Sequence, residues 1–380
     1  MRILISAGEA SGEMYGAQLI EAMRRRDPSL EFFGVGGERM RTAGCDTVVD
    51  AKDLAVVGIS EIVSHLPKIY GLFHKLIAEA DRRHPALAIV IDSPAFNWRV
   101  ARQMRKRGIP VVYYVCPQFW AWRPWRVRIV RRRFAEALCI FPFEEKFYGD
   151  AGVPVKFIGH PLVGAVHPSV DRATFLKEQR LSPERPVVAV LPGSRSAELT
   201  QHLPVLREAC VRIYRATQAQ FVVAAAHNSG AAMVREGWPP ELPVRVVESR
   251  TYDALASSDA AIVSSGTATV ETALLDVPMV VIYRVTPLTA FLAKPLVRTP
   301  FFSMVNLIAG KRVVPELIQS DFTPERVTQE VVRLLRERTT RATMRESLAE
   351  VRNRLGPPGA VERAADAILD LVRAGRGNAK

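Results

Sequence analysis

Short apolar runs alternate along the chain with longer stretches in which apolar side chains recur every three or four positions, a pattern that predicts parallel strands covered by helices. In the first half the runs fall at residues 2–6, 32–35, 87–91, 111–115, 138–141 and 156–158. In the second half they fall at 187–191, 220–224, 244–247, 260–263 and 278–282. Residues 161–186 hold turn formers and one short helical pattern near 174–179, and read as a linker. Beyond Pro324 the periodicity is helical through Arg373. The expected fold class is α/β, with two doubly wound Rossmann-like domains facing a central cleft and a helical C-terminal segment. The boundaries read as 1–165, 166–325 and 326–380, the last segment packing back on the first domain or exchanging between subunits. A homodimer is neither required nor excluded. In such sheets ligands sit beyond the carboxyl ends of strands.

Two glycine-containing turns lie at such ends. Leu191-Pro192-Gly193-Ser194-Arg195 and Ser265-Gly266-Thr267-Ala268-Thr269-Val270-Glu271 each follow an apolar run and open a helix. There free backbone N–H groups face outward, and Arg195 adds a forked positive charge suited to phosphate. One such turn is as often a plain connection; two in one half suggest a diphosphate ligand. In the first half, strand 2–6 runs into Ala7-Gly8-Glu9-Ala10-Ser11-Gly12-Glu13, where glycines admit a ligand to the N-terminus of a helix starting near Met14. The spacing is not Gly-x-Gly-x-x-Gly, which disfavours a dinucleotide. Asp92 ends strand 87–91 and is either a helix cap or a general base facing the cleft.

Two further patterns stay ambiguous on residues alone. Ile59, Ile62, Val63, Leu66, Ile69, Tyr70, Phe73 and Leu76 recur at helical steps, forming a core-facing stripe or a surface that touches a bilayer, with Pro67 expected to break or kink it. Trp120, Trp122, Arg123, Trp125 and Arg126, followed by Arg128, Arg131, Arg132 and Arg133, suit stacking on nucleic acid, lipid phosphates or a solvated face.

Composition narrows this. At 380 residues the chain exceeds a single core, and the formal charge of +13 points to anionic partners. The positive groups are spread among turns and helix faces, so nucleic acid is not an expected partner. The chain opens directly on a strand-like run without a signal peptide, and no apolar run approaches the ~18 residues of a membrane span. A cytoplasmic protein that does not cross a membrane is the expectation. Cys45, Cys116, Cys139 and Cys210 are scattered, with neither Cys-x-x-Cys nor Asp-x-Asp present, so no metal site is expected.

Taken together, Ser6 to Gly12, Val35-Gly36-Gly37-Glu38-Arg39-Met40, Ile91-Asp92-Ser93-Pro94, Pro117 to Arg123, Phe141-Pro142-Phe143-Glu144, Gly159-His160-Pro161, Leu191 to Arg195, Ser265 to Glu271 and Pro278 to Val281 resemble the lipid-A-disaccharide synthase family, in order over about residues 1–320. The resemblance implies an inverting glycosyltransferase of the GT-B type. It would join UDP-2,3-diacylglucosamine to 2,3-diacylglucosamine 1-phosphate (lipid X), giving a β-1,6 disaccharide and UDP. It would need no cofactor or metal and would work as a peripheral protein on inner-membrane lipids at the cytoplasmic face. The alternative is another UDP-sugar transferase or a non-hydrolysing sugar-nucleotide epimerase. Under the resemblance Asp92 is the base and Arg195 stabilises the departing UDP. Gly193, Ser194, Ser265, Gly266, Thr267, Thr269, Glu271, Asn306 and Gln319 bind the donor, with Glu271 on the ribose. Glu9, Ser11, Gly12, Asn97, Trp122, Arg123 and His160 form the acceptor side, and Ile59, Ile62, Val63, Leu66, Ile69 and Tyr70 contact the membrane. The family usually carries a second acidic residue where this chain has Ala95, which leaves Asp92 as the base.

Overall fold

The computed structural model describes the chain apart from residues 55–58, 123, 226–230, 288, 291–298 and 378–380, and apart from the side chains of residues 10, 59–66, 122 and 374–377. The chain divides into two compact units, Met1–Pro161 with Gly356–Lys380, and Leu162–Leu355. The helices Pro324–Arg336 and Arg338–Arg354 thus stay with the second unit. Only Ala360–Gly377 joins the first, where Arg25 pairs with Glu362 at 3.1 Å and Arg26 with Asp366.

Seven strands form the first sheet: β1 (Arg2–Ala7), β2 (Glu31–Gly36), β3 (Cys45–Asp50), β4 (Leu87–Ile91), β5 (Val111–Tyr114), β6 (Glu136–Cys139) and β7 (Val155–Phe157), in the order β3-β2-β1-β4-β5-β6-β7. The second has six: β8 (Val187–Leu191), β9 (Gln220–Ala225), β10 (Val244–Glu248), β11 (Ala260–Ser264), β12 (Met279–Tyr283) and β13 (Glu316–Ile318), in the order β10-β9-β8-β11-β12-β13. Every pairing is parallel. The continuous apolar runs are the central strands: β4 and β8 are buried at every position, as sheets covered on both faces require.

In each sheet the strand order reverses direction once, between β1 and β4 and between β8 and β11, and a crevice opens at such a point at the carboxyl ends. Register aligns the loops that follow. Ala7 pairs with Ile91, so Gly8 and Asp92 emerge side by side; Leu191 pairs with Val263, so Pro192 and Ser264 do the same.

Four elements depart from the sequence expectation. β3 and β13 escape it, the first because it is an edge strand with only half-buried alternation, the second because it spans three residues. β6 starts two residues earlier than expected, because Glu136 is a buried strand residue whose charge is met by Lys156 of β7 at 3.0 Å. The helix Ile59–Arg83 runs on through Pro67 instead of breaking there.

Candidate active site

The first unit's crevice is built around Asp92. Asp92 and Ser93 both hold left-handed backbone, with φ of 46° and 38°, a conformation that costs non-glycine residues of the order of 1–3 kcal/mol each. Neighbouring donors fix it: Asn97 Nδ2 and Tyr113 Oη both donate to the Asp92 carbonyl, at 2.9 and 3.0 Å. The Gly8 N–H donates to Oδ1 at 3.3 Å, while Oδ2 is buried without a hydrogen-bond partner. Burial, and next the charge of Glu9, push the carboxyl up to about 7. Gly12 explains how the carboxylate fits. A Cβ there would stand 2.7 Å from Asp92 Cγ and closer still to Oδ2. Gly12→Ala should therefore cost about 2–4 kcal/mol by overpacking, whereas Ser11→Ala, at an exposed position, should stay within about 0.5 kcal/mol. Thermal denaturation checks this, and an unchanged midpoint for Gly12→Ala would mean that the carboxylate moves aside freely.

Beside Asp92 lies a cavity of about 750 Å³ whose lining includes Gly8, Glu9 and Ser93. Two expected acceptor residues lie elsewhere. Asn97 is fully buried, accepting from Ser6 Oγ at 2.7 Å and donating to the carbonyls of Ile91 and Asp92, so it braces β1 against β4. His160 is buried against Phe141, with ring centroids 5.2 Å apart, and burial lowers it to about 4, which keeps it neutral. The side chains of Trp122 and Arg123 lie outside the described residues. Their neighbour Trp120 donates its indole N–H at 3.0 Å to Glu144, a fully buried carboxyl that desolvation raises to about 7.

The second unit brings together most of the expected donor residues. A cavity of about 380 Å³ is lined by Gly193, Ser194, Arg195, Ser265, Gly266, Thr267 and Glu271. An adjoining one of about 260 Å³ shares Thr251 and Glu271 with it and is lined also by Ser249, Arg250 and Tyr252. Glu271 accepts from Tyr252 Oη at 3.0 Å, and burial raises its pKa. Three expected contacts prove to be braces. Thr269 is buried and returns its hydroxyl to the Gly266 carbonyl at 2.8 Å. Asn306 is saturated by the backbone of Val313 and Val314 and by Glu316. Gln319 accepts from the Val285 N–H at 2.8 Å through its side chain.

Two residues of this site were not expected. Glu198 turns its carboxylate to the N–H groups of Ser194 and Arg195, at 3.3 and 3.4 Å, filling the anion position at the start of the helix Ser196–Thr217. His202 is buried, accepts from the Arg284 N–H at 2.9 Å and turns Nδ1 to the Pro192 carbonyl at 2.7 Å, tying the phosphate-type loop to the end of β12. Its place on the buried face of that helix, between Leu199 and Leu203, was the available signal.

The expected membrane stripe divides. Phe73 and Leu76 belong to the first unit's core, Ile69 is half-buried, and Tyr70 is 66% exposed. The side chains of Ile59, Ile62, Val63 and Leu66 lie outside the described residues.

Residues 3–368 match a family model described as Lipid-A-disaccharide synthetase. The chain belongs to the lipid-A-disaccharide synthase family. A protein of Solibacter usitatus named Lipid-A-disaccharide synthase is 50% identical over 372 residues, covering 98% of this chain and 97% of that one. Among solved structures, the kitacinnamycin glycotransferase superposes with a TM-score of 0.66 at 18% identity, covering 98% of this chain and 99% of the other. A UDP-GlcNAc 2-epimerase of Neisseria meningitidis, bound to UDP-GlcNAc, gives 0.66 at 12% identity, covering 97% and 100%. These likenesses establish the fold that the family shares with GT-B glycosyltransferases: two parallel-sheet, Rossmann-like domains.

Proposed function

We propose that this chain is an inverting glycosyltransferase that joins UDP-2,3-diacylglucosamine to 2,3-diacylglucosamine 1-phosphate, forming the β-1,6 lipid A disaccharide 1-phosphate and UDP. The observation that carries this reading, within that family, is the opposite chemistry of the two crevices. One holds a buried carboxylate poised near neutrality; the other holds glycine turns, backbone N–H groups and an arginine. Asp92 takes the proton of the acceptor hydroxyl as that oxygen attacks the anomeric carbon of the donor. The bond from that carbon to the diphosphate breaks, and the charge growing on UDP is met by Arg195 and by the N–H groups of Ser194 and Gly266. The diphosphate displaces the Glu198 carboxylate from that position. The nucleoside occupies the smaller adjoining cavity, with Glu271 accepting from the ribose hydroxyls. Glu9, Ser11 and Gly12 face the acceptor sugar.

No helix among the described residues is long and apolar enough to cross a membrane. Substrates with acyl chains require the protein to come to the bilayer, and Ile69 and the exposed Tyr70 continue the stripe assigned to that peripheral contact on the cytoplasmic face.

Incubation with the two acylated substrates, followed by chromatographic and mass analysis, tests the reading. A disaccharide formed in step with UDP is expected. An epimerised sugar nucleotide without disaccharide would overturn the proposal and favour the epimerase chemistry found on the same fold.

A further inference from the structure

The cavity of about 750 Å³ in the first unit has a size typical of small-molecule sites, and its walls are mostly hydrocarbon. Pro67, Ile69, Tyr70 and Phe73 come from the helix Ile59–Arg83, and Ala95 and Phe96 from the helix Pro94–Lys106. Phe73 and Phe96, both in the lining, meet edge to face with 6.0 Å between centroids. The lining is amphipathic: Gly8, Glu9 and Ser93, next to Asp92, belong to it, and so does Arg99. Arg99 is exposed, donates to the Ala95 carbonyl at 2.6 Å and has no ion pair with a carboxylate among the described residues. It opens a stretch, residues 94–134, that carries eleven Lys and Arg and no Asp or Glu. An apolar slot whose lining includes a carboxylate and a cation without an ion-pair partner among the described residues complements a molecule with a hydrocarbon tail, hydroxyls and a negative charge.

We propose that this cavity seats an acyl chain of the acceptor, an acylated sugar phosphate, with Arg99 holding its phosphate. This rests on the glycosyltransferase reading above for the identity of the acceptor. Ala95, a small side chain in the lining, leaves the wall apolar and open, so this chain uses the position for the tail. The acyl chain fixes the depth of the sugar, and the charge on Arg99 fixes which end faces Asp92.

Binding of dodecyl phosphate, below its micelle concentration, and of inorganic phosphate to the full chain by titration calorimetry tests this without any transfer reaction. The wild type should bind dodecyl phosphate and not inorganic phosphate in the same range. Ala95→Trp, which fills the slot, should weaken dodecyl phosphate at least about tenfold, and Arg99→Gln about fivefold, each with UDP affinity unchanged. Equal binding by Ala95→Trp and wild type would overturn the proposal. So would parity of inorganic and dodecyl phosphate. Sedimentation with phosphatidylglycerol vesicles separates the remaining source: Ala95→Trp should still bind vesicles, and its release from them would mean that bulk membrane lipid occupies the slot. If the wild type binds dodecyl phosphate yet forms no disaccharide, the transferase reading fails alone. If Ala95→Trp turns over long-chain acceptors like the wild type, the cavity proposal fails alone.

Discussion

Asp92→Asn should lower kcat about a thousandfold while leaving UDP affinity unchanged, and should make the protein more stable at pH 8. The first effect is the usual size of a lost general base. The second follows from linkage. A carboxyl raised to about 7 in the folded protein, against an ordinary value of 3.8, binds its proton more tightly folded than unfolded. Stability from this group is therefore gained as pH falls through about 7 and is lost above it. At pH 8 the ionised form is buried with Oδ2 unpartnered. The amide removes that penalty, of the order of 3 kcal/mol at pH 8, and thermal unfolding should show a clearly smaller gain at pH 5, vanishing only below about pH 4 where the unfolded carboxyl is protonated too. In the wild type, kcat/KM should rise through the same pH range and then level, and the variant should lack that limb. A variant with near-normal turnover would remove Asp92 from the chemistry; one that is inactive and also less stable at both pH values would make it a structural residue.

Arg195→Ala should lower kcat/KM for the donor about 100- to 1000-fold, the loss seen when one group stabilising a developing charge is removed. Stability should change little, because the side chain is 76% exposed and its ion pair with Glu198, at 3.5 Å, is loose. Lysine should restore only part of the activity, since it lacks the planar fork that grips two phosphate oxygens. Steady-state kinetics with varied donor, alongside calorimetric UDP binding, separates transition-state loss from ground-state loss. A kcat/KM within threefold of wild type would assign the leaving-group charge to the backbone N–H groups alone.

The two anion-type turns and the Asp92 strand end stand where the sequence placed them because they follow fully apolar runs, where register leaves little freedom. The sequence did not show which polar residues spend their hydrogen bonds within the fold. Asn97, Thr269, Asn306 and Gln319 have the residue types of a binding site, yet each makes hydrogen bonds to neighbouring backbone, with Ser6 and Glu316 side chains added at the two asparagines. Type and position do not distinguish a brace from a contact; the path of the adjacent chain does. Glu198 and His202 were hidden for the converse reason, being helix residues whose role depends on a loop folded back over the helix start. The same limit applied to the fold: β6 was displaced by two residues because a charge, Glu136, sits inside the sheet with its partner on the next strand.

The central claim is that the second unit grips the nucleotide while the first carries the base, and a crystal structure with UDP tests it most directly. The account predicts the diphosphate against the N–H groups of Ser194 and Gly266 and the Arg195 guanidinium, with Glu198 withdrawn and the ribose on Glu271. Density for UDP beside Asp92, at Gly8, Glu9 and the start of the helix Ala10–Arg26, would contradict it.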